Sequence, residues 1–292
     1  MTTHPFAVVD VFTDRPLAGN PLAVVTDADD LTEDQMAAIA VEFNLSETTF
    51  VSRPTLASAD FRLRSFTPGG DEVAGAGHNA LGAWWWLATS GAAAPPSATQ
   101  ELGGRALPVL IEAGDGGITI GLRQGPVDLA PAPVDEEDLR EALTGRDPVR
   151  RDPGAALVTG SVGSPHLLVA LASASDVDVV IPDTAALAAV LASAGAQGCY
   201  VYSLATEGQP YDAYCRFFNP TVGIAEDPAT GSAAGPLAAH LHRLGAIDGT
   251  ARFRFLQGQR LGRPSFLDVT VEPDGTTLTG RCALSATGEL QL

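Results

Sequence analysis

The chain has 292 residues, 45% of them hydrophobic and 18% charged, so it can bury one large core or two smaller ones. Its formal net charge of −18 argues against nucleic acids and anionic membranes as partners, because both recruit clustered lysine and arginine. All 17 basic residues are arginine, which excludes a Schiff-base lysine, a P-loop lysine and a lysine general base.

The cysteines and the N-terminal segment indicate a cytoplasmic protein without a metal. Cys199, Cys215 and Cys282 are far apart, odd in number and lack CxxC spacing, which supports neither a disulfide framework nor a zinc site. The glycine-rich segments lack both nucleotide-binding fingerprints, and no His, Asp and Glu cluster has metal-ligand spacing. No export signal or membrane span is recognisable in the sequence. We therefore expect no metal and no cofactor.

The first half of the chain alternates short strands with two helices. FAVVDVF and PLAVV are predicted strands, separated by the turn signal Gly19-Asn20-Pro21. Apolar residues at helical spacing predict a helix from Asp34 to Phe43, with Thr32 as its cap. ETTFVSR and FRLRSF then predict paired strands. His78 to Leu87 is apolar at nearly every position, which is typical of a helix buried on all sides.

The second half of the chain repeats these signals in the same order. Gly163-Ser164-Pro165 corresponds to Gly19-Asn20-Pro21, and Phe218-Asn219-Pro220 corresponds to Phe66-Thr67-Pro68. ATGSAAGPLAAHL then corresponds to GAGHNALGAWWWL, each a glycine-rich segment that opens an alanine-rich helix. Three matched signals in one order predict two homologous half-domains. The alternative is coincidence in a chain rich in alanine and glycine.

The boundary between the halves is predicted in the Pro-rich, acidic segment from Gly125 to Asp138, which we interpret as a linker. The final stretch TLTGRCALSATGEL alternates apolar residues, and we expect it to return as a strand into the first half. The predicted domains are an N-terminal half-domain of residues 1–124, completed by 279–292, and a C-terminal half-domain of residues 125–278.

Both repeated helices begin at a glycine-rich turn. Free backbone N–H groups and the positive end of the helix dipole favour a carboxylate or phosphate at such a turn. His78, Asp227, Thr230 and Ser232 lie next to these turns and can titrate or hydrogen-bond. The alternative is that the glycines serve close packing alone.

Four segments together resemble one known family over essentially the whole chain. VDVFTDRPLAGNPLAVV, NLSETTFV, AGHNALGAWWWL and EDPATGSAAGPLAAHL resemble, in that order, the PhzF-like branch of the diaminopimelate-epimerase fold. The resemblance implies an α+β protein of two half-domains, each a curved, mostly antiparallel sheet around a central helix, with the active site between them. It also implies a homodimer.

The same resemblance points to Glu47 as the catalytic acid/base. Epimerases on this fold use one cysteine from each half, and the corresponding positions here are Ala76 and Thr230. The resemblance therefore implies a one-base isomerase, in which the glutamate of the NLSET motif, Glu47, moves a proton within one substrate. Such a carboxyl group needs apolar surroundings that raise its pKa towards neutrality, and apolar residues flank Glu47 in the sequence. The residues alone leave open a surface or helix-terminal glutamate.

Other residues are matched to the binding of a small acidic substrate. His78 and Asp227 would bind it and help to hold or relay protons, although both could instead be structural, with Asp227 as a helix cap. Ser232 would contact the substrate carboxylate. The remaining substrate-binding candidates are the amides of Gly77 and Gly231, the side chain of Thr230, and Asn20. His166 occupies the turn related to that of Asn20 and could either support the site or only form the turn.

Two departures from the family pattern bear on the substrate. Asn79 follows the histidine where alanine is usual, and Trp84 to Trp86 form a bulky run. We therefore expect that another hydroxylated or unsaturated amino or carboxylic acid could replace the phenazine intermediate. The alternative functions are an amino-acid racemase or epimerase that uses Asp227 or Thr230 as a base, and a non-catalytic binding protein for acidic metabolites.

Overall fold

A computed structural model describes residues 2–73, 75, 77–144, 158–161, 163–247 and 249–292. The chain forms two compact units, one of Met1–Arg123 with Thr279–Leu292 and the other of Gln124–Leu278. Within the described ranges, none of the helices has both the length and the apolar character needed to cross a membrane. The fold is of the α+β class.

The first unit contains eight strands and two helices before the chain enters the second unit. In chain order they are β1 (Thr3–Val11), β2 (Asn20–Val25), α1 (Glu33–Phe43), β3 (Glu47–Ser52), β4 (Phe61–Phe66), β5 (Glu72–Val73), α2 (His78–Thr89), β6 (Ser97–Leu102), β7 (Arg105–Gly114) and β8 (Gly117–Gly125). The helix predicted from residue 34 begins one residue earlier, and Thr32 caps it as predicted. The side chain of Gln35 completes a capping box, which was not predicted.

The second unit contains the remaining helices and all but one of the remaining strands. They are β9 (Asp128–Pro131), α3 (Glu136–Ala142), β10 (Val158–Ser161), β11 (Pro165–Ala170), α4 (Ala174–Asp178), α5 (Thr184–Ala194), β12 (Gly198–Leu204), β13 (Ala213–Asn219), β14 (Ile224–Asp227), α6 (Gly231–Arg243), β15 (Arg252–Gln257) and β16 (Ser265–Glu272). The long strand β17 (Gly275–Gln291) ends the fold and pairs antiparallel with β1, from Thr3 opposite Gln291 to Val11 opposite Cys282.

The order of strand pairing is the same in the two units. In the first unit β1–β2 is antiparallel, β2–β3 parallel, β3–β4 antiparallel, β4–β6 parallel and β6–β7 antiparallel. In the second unit the matching pairs β10–β11, β11–β12, β12–β13, β13–β15 and β15–β16 follow the same alternation. Each repeat signal read from the sequence therefore marks an equivalent position in a repeated supersecondary structure.

The helix α2 is the centre of the first unit, as its apolar sequence predicts. Its residues from His78 to Trp84 are all buried, and it packs against β1, β2 and β3. The close approach depends on Gly82, where a Cβ atom would lie 2.7 Å from side-chain atoms of Leu22 and Val11. The polar edge of the buried Trp84 is satisfied because its Nε1 donates to Gln100.

The segment interpreted as a linker, Gly125 to Asp138, is instead part of the second unit. It contains β9, which pairs antiparallel with β10, and it leads into α3, whose first turn is capped by Asp135. The linker prediction was wrong because Pro131 is the last residue of this strand and Pro126 and Pro133 lie outside it, so no proline interrupts the interior of its hydrogen-bonded ladder.

Candidate active site

The carboxyl group of Glu47 is held at the start of a buried strand. Helix α1 ends at Phe43, Asn44 turns the chain in the left-handed conformation, and Glu47 opens β3 beside Leu22 of β2. The side chain of Glu47 is 19% exposed. The alternative of a solvated surface glutamate is therefore wrong, because most of the Glu47 side chain is removed from solvent.

The imidazole of His78 lies next to Glu47. Nδ1 of His78 is 3.6 Å from Oε2 of Glu47, and His78 is the first residue of α2. Burial lowers the pKa of His78 to about 4, so its imidazole is neutral at neutral pH. Its Nε2 has no hydrogen-bond partner among the described residues. A neutral imidazole carries one donor and one acceptor nitrogen, so it can hand a proton on as well as hold one.

The turn before α2 is closed by Asn79, which changes the role predicted for Gly77. Asn79 Oδ1 accepts from the Gly77 N–H at 2.7 Å, and Asn79 Nδ2 donates to the Gly75 carbonyl oxygen at 2.9 Å. The Gly77 amide predicted to bind a substrate anion is therefore already engaged within the protein. Ala76, the other position compared with the epimerase cysteines, lies outside the described residues.

In the second unit, Asp227 and Thr230 form a hydrogen-bonded pair before α6. Asp227 ends β14, and the Thr230 hydroxyl donates to Asp227 Oδ2 at 2.5 Å. Thr230 is the N-cap residue of α6 by position, yet its own side chain makes no capping hydrogen bond. The Asp227 carboxylate therefore accepts from a hydroxyl group, while its role as a helix cap stays a prediction.

A buried glutamine that sequence reasoning missed holds this pair in place. The Gln257 side chain is fully buried, and its Nε2 donates to the Asp227 carbonyl oxygen and to Thr230 Oγ1 at 2.8 and 3.0 Å. Its Oε1 accepts from the Tyr200 hydroxyl and from the Thr230 N–H. Nothing in the local pattern of β15 marks Gln257, because its partners are residues about thirty and sixty positions away.

His166 and Ser232 also meet in the second unit. His166 Nε2 and Ser232 Oγ are 2.9 Å apart, and the ring of His166 stacks edge-on against Phe217. Burial lowers the pKa of His166 to about 4. Of the two readings left open for His166, the structure supports the one in which it contacts a predicted site residue.

Asn20 lies on the same strand as Leu22, the strand partner of Glu47. It is the first residue of β2, lies opposite Val11 and is fully buried. The preceding Gly19 has a φ of +68°, and a Cβ atom there would lie 2.2 Å from the Val11 carbonyl oxygen. This turn therefore requires glycine, whereas substrate binding by Asn20 stays a prediction.

Comparison with known proteins identifies the family. The family model of phenazine biosynthesis-like proteins, PhzC-PhzF, matches residues 9–288. The chain belongs to this family. It is 34% identical to trans-2,3-dihydro-3-hydroxyanthranilate isomerase from Pseudomonas chlororaphis, over 98% of this chain and 96% of that protein. By this relationship the chain is an isomerase.

Solved structures agree with this assignment. A PhzF-family phenazine biosynthesis protein from Bacillus anthracis superposes with a TM-score of 0.87, covering 100% of both chains at 26% identity. A hydroxyproline epimerase from Agrobacterium vitis has a TM-score of 0.64 over 99% of this chain and 91% of that one, at 12% identity. The second likeness extends the fold, and only the fold, to epimerases.

Strand registers identify the residue of the second unit that corresponds to Glu47 in this PhzF-family chain. Glu47 pairs with Leu22 at the start of the β2–β3 ladder, and Gly198 pairs with His166 at the start of β11–β12. A Cβ atom on Gly198 would lie 2.3 Å from Cζ of Phe217. An aromatic ring therefore fills the space in the second unit that a carboxyl group occupies in the first.

The cysteines of this PhzF-family chain are unsuited to acid/base chemistry. Cys199, Cys215 and Cys282 are all buried. Burial raises the pKa of Cys199 and of Cys215 to about 12 and that of Cys282 well above its usual range. None of these thiols would be a thiolate at neutral pH.

Proposed function

We propose that this isomerase moves one proton between two carbon atoms of a small carboxylic acid, with Glu47 as the single general acid/base. The observation that carries the proposal is the partly buried Glu47 carboxyl group beside the neutral imidazole of His78. The absence of a side chain at Gly198, the position equivalent to Glu47, supports a one-base mechanism over a two-base one.

The proposed reaction needs a base that then becomes an acid. The Glu47 carboxylate takes a proton from a C–H bond adjacent to a carbon–carbon double bond, and the double bond shifts by one position. The protonated Glu47 then returns the proton to the carbon that was the far end of the original double bond, where the shifted electron pair is left. The atoms and electrons of substrate and product are equal in number, so the step needs no oxidant, reductant or cofactor.

His78 is proposed to hold the substrate and to steady the proton on Glu47. A cationic partner would form an ion pair with the carboxylate and suppress its protonation. A neutral imidazole does not have this effect. Nε2 of His78, which no described group satisfies, is the atom we assign to the substrate.

The proposed role of the second unit is to bind polar groups of the substrate. We assign a substrate carboxylate to the Ser232 hydroxyl and the Gly231 N–H, since both lie in the first turn of α6, whose N-cap residue makes no side-chain capping bond. Asp227 is proposed to accept a hydrogen bond from a substrate hydroxyl or amino group, with Thr230 bonding its carboxylate and Gln257 bonding its backbone carbonyl oxygen.

The names of the relatives support a proposal for the substrate class. The relative from Pseudomonas chlororaphis is named for trans-2,3-dihydro-3-hydroxyanthranilate, an unsaturated ring that carries carboxyl, amino and hydroxyl groups. We propose an unsaturated amino or hydroxy carboxylic acid of this kind for the present chain.

A test uses trans-2,3-dihydro-3-hydroxyanthranilate as the probe in deuterium oxide. We expect the product to carry the moved hydrogen on a different carbon, and the Glu47→Gln variant to lose between about a hundredfold and ten-thousandfold in kcat. Glu42→Gln, on the exposed face of α1, is the matched control and should keep wild-type turnover. Normal turnover by Glu47→Gln would refute the role of Glu47. Deuterium at a single carbon with inversion of configuration would instead indicate a racemase.

A further inference from the structure

A buried polar cluster connects the strand that carries Glu47 with the helix that begins at His78. Its members are Thr49 of β3, Ser65 of β4 and Asn79 of α2, none of which is more than 2% exposed. The hydroxyl oxygens of Thr49 and Ser65 are 2.9 Å apart, and Asn79 Nδ2 donates to Ser65 Oγ at 3.0 Å. The cluster thus joins three elements of the first unit.

The contacts of Asn79 specify a carboxamide at this position. One face of the group must accept, because it meets the Gly77 N–H, and the other must donate, because it meets the Gly75 carbonyl and Ser65. An aspartate of the same shape would set an oxygen against the Gly75 carbonyl oxygen. A buried network whose members are all satisfied favours one arrangement of the groups that it joins.

The position of this cluster relates it to the proposed acid/base pair. Asn79 directly follows His78, and Thr49 lies two residues after Glu47 on the same strand. The 3.6 Å separation between the Glu47 and His78 atoms is longer than an ordinary hydrogen bond of about 2.7–3.2 Å, so their direct contact holds them only weakly. The distance between the two groups therefore depends on how α2 is seated against β3 and β4.

The second unit shows that the fold does not require the cluster. By strand register the Thr49–Ser65 pair corresponds to Tyr200–Phe217, and in the aligned helix openings Asn79 corresponds to Ala233. The second unit thus builds the same strands and helix with a phenylalanine and an alanine at two of the three positions. The polar cluster occurs in the unit that also carries the carboxyl group.

We propose that Asn79, acting through Ser65, is a positioning residue that seats the His78 imidazole against the Glu47 carboxyl group. The role rests on the proposed function, because it serves the acid/base pair. Loss of the Asn79 carboxamide frees the turn at Gly75 and Gly77 and lets water reach the imidazole.

The first measurement needs no substrate. In wild-type protein the His78 imidazole resonances should stay at their neutral positions from about pH 8 to about pH 5. In Asn79→Ala they should titrate within that range, since hydration returns an imidazole towards its ordinary behaviour. Ser65→Ala is a smaller change and should shift the pH at which His78 titrates in the same direction. It replaces Asn79→Ala in this measurement if that variant does not fold.

The matched control is Gln100→Ala. Gln100 is a second buried carboxamide that contacts α2, through Trp84, and it is remote in sequence from the helix opening. This variant also leaves a buried donor unpaired, so it should lower stability as Asn79→Ala does while leaving the His78 titration unchanged. If Asn79→Ala and Ser65→Ala lower stability but leave His78 neutral throughout the range, the cluster is only structural and the proposal is overturned.

The second measurement uses turnover of trans-2,3-dihydro-3-hydroxyanthranilate. Asn79→Ala should lower kcat by between about tenfold and a hundredfold with little change in KM, because misplacement of a reacting group affects the chemical step. In a Glu47→Gln background the same substitution should cause no further loss. A full additional loss in that background would overturn the proposal. Failure of the proposed function would appear differently, as normal turnover by Glu47→Gln itself.

Discussion

The buried histidine of the second unit makes stability depend on pH in a defined range. Burial lowers the pKa of His166 from the reference value of 6.5 to about 4. Between these values the unfolded chain binds a proton that the folded chain does not. Stability therefore falls as the pH drops below about 6.5 and, for this group, stops falling below about pH 4.

The size of the effect follows from the two pKa values. At about pH 5, protonation of His166 in the unfolded state should lower the free energy of unfolding by about 2 kcal/mol. Each pH unit between the two pKa values contributes about 1.4 kcal/mol. His78 has the same direction of shift and should add a similar amount in the first unit.

Urea unfolding followed by circular dichroism at about pH 7.5 and about pH 5 measures this contribution. From about pH 7.5 to about pH 5 the free energy of unfolding of His166→Gln should fall by about 2 kcal/mol less than that of wild type, because the variant has no imidazole to protonate at this position. The other titrating groups are common to both proteins and cancel in the comparison. Ser232→Ala keeps the buried imidazole and removes its hydrogen-bond partner, so it should retain the wild-type pH dependence. An equal decrease in the free energy of unfolding in wild type and in His166→Gln would refute the reasoning.

Two further substitutions test the packing around the site. Gly198→Ala should lower the free energy of unfolding by about 1–3 kcal/mol, because its Cβ atom would overlap the buried ring of Phe217. Gly114→Ala is the control, because the space around Gly114 is open. Equal stability of the two variants in urea would contradict the expected overlap. Gln257→Leu should lower the free energy of unfolding by about 2–4 kcal/mol, because it leaves the Tyr200 hydroxyl and the Thr230 N–H buried without an acceptor. Wild-type stability and turnover in this variant would show that the Asp227–Thr230 pair does not depend on the carboxamide.

Local signals in the sequence were sufficient for most of the secondary structure. Thr32 followed three residues later by Gln35 is a capping box, and the structure begins α1 at the next residue after Thr32. The turn at Gly19 and the apolar run from His78 were likewise readable, since a positive φ and burial on all sides each restrict the residue type. The segment from Gly125 to Asp138 was wrongly predicted to be a linker, because proline at or beside a strand end gives the same sequence signal as proline in a linker.

The sequence also pointed to Glu47 and His78, through a resemblance to a family, but their environment came from the structure. That Glu47 is partly buried depends on its place in the β2–β3 ladder, where Leu22 and Glu47 meet across twenty-five positions of sequence. The loss of the Gly77 amide to Asn79 was likewise invisible in the sequence, because a glycine-rich turn reads the same whether or not a neighbouring side chain occupies it.

The sequence by itself determined the repeat, the helix openings and the types of residue beside them, because caps, turns and apolar periodicity act over a few positions. Tertiary structure alone decided that Gly198 is filled by Phe217, that Gln257 holds Asp227 and Thr230, and that the hydroxyl groups of Thr49 and Ser65 meet. The physical reason is that strand pairing and burial bring together groups distant along the chain, and hydrogen bonding and pKa depend on those neighbours.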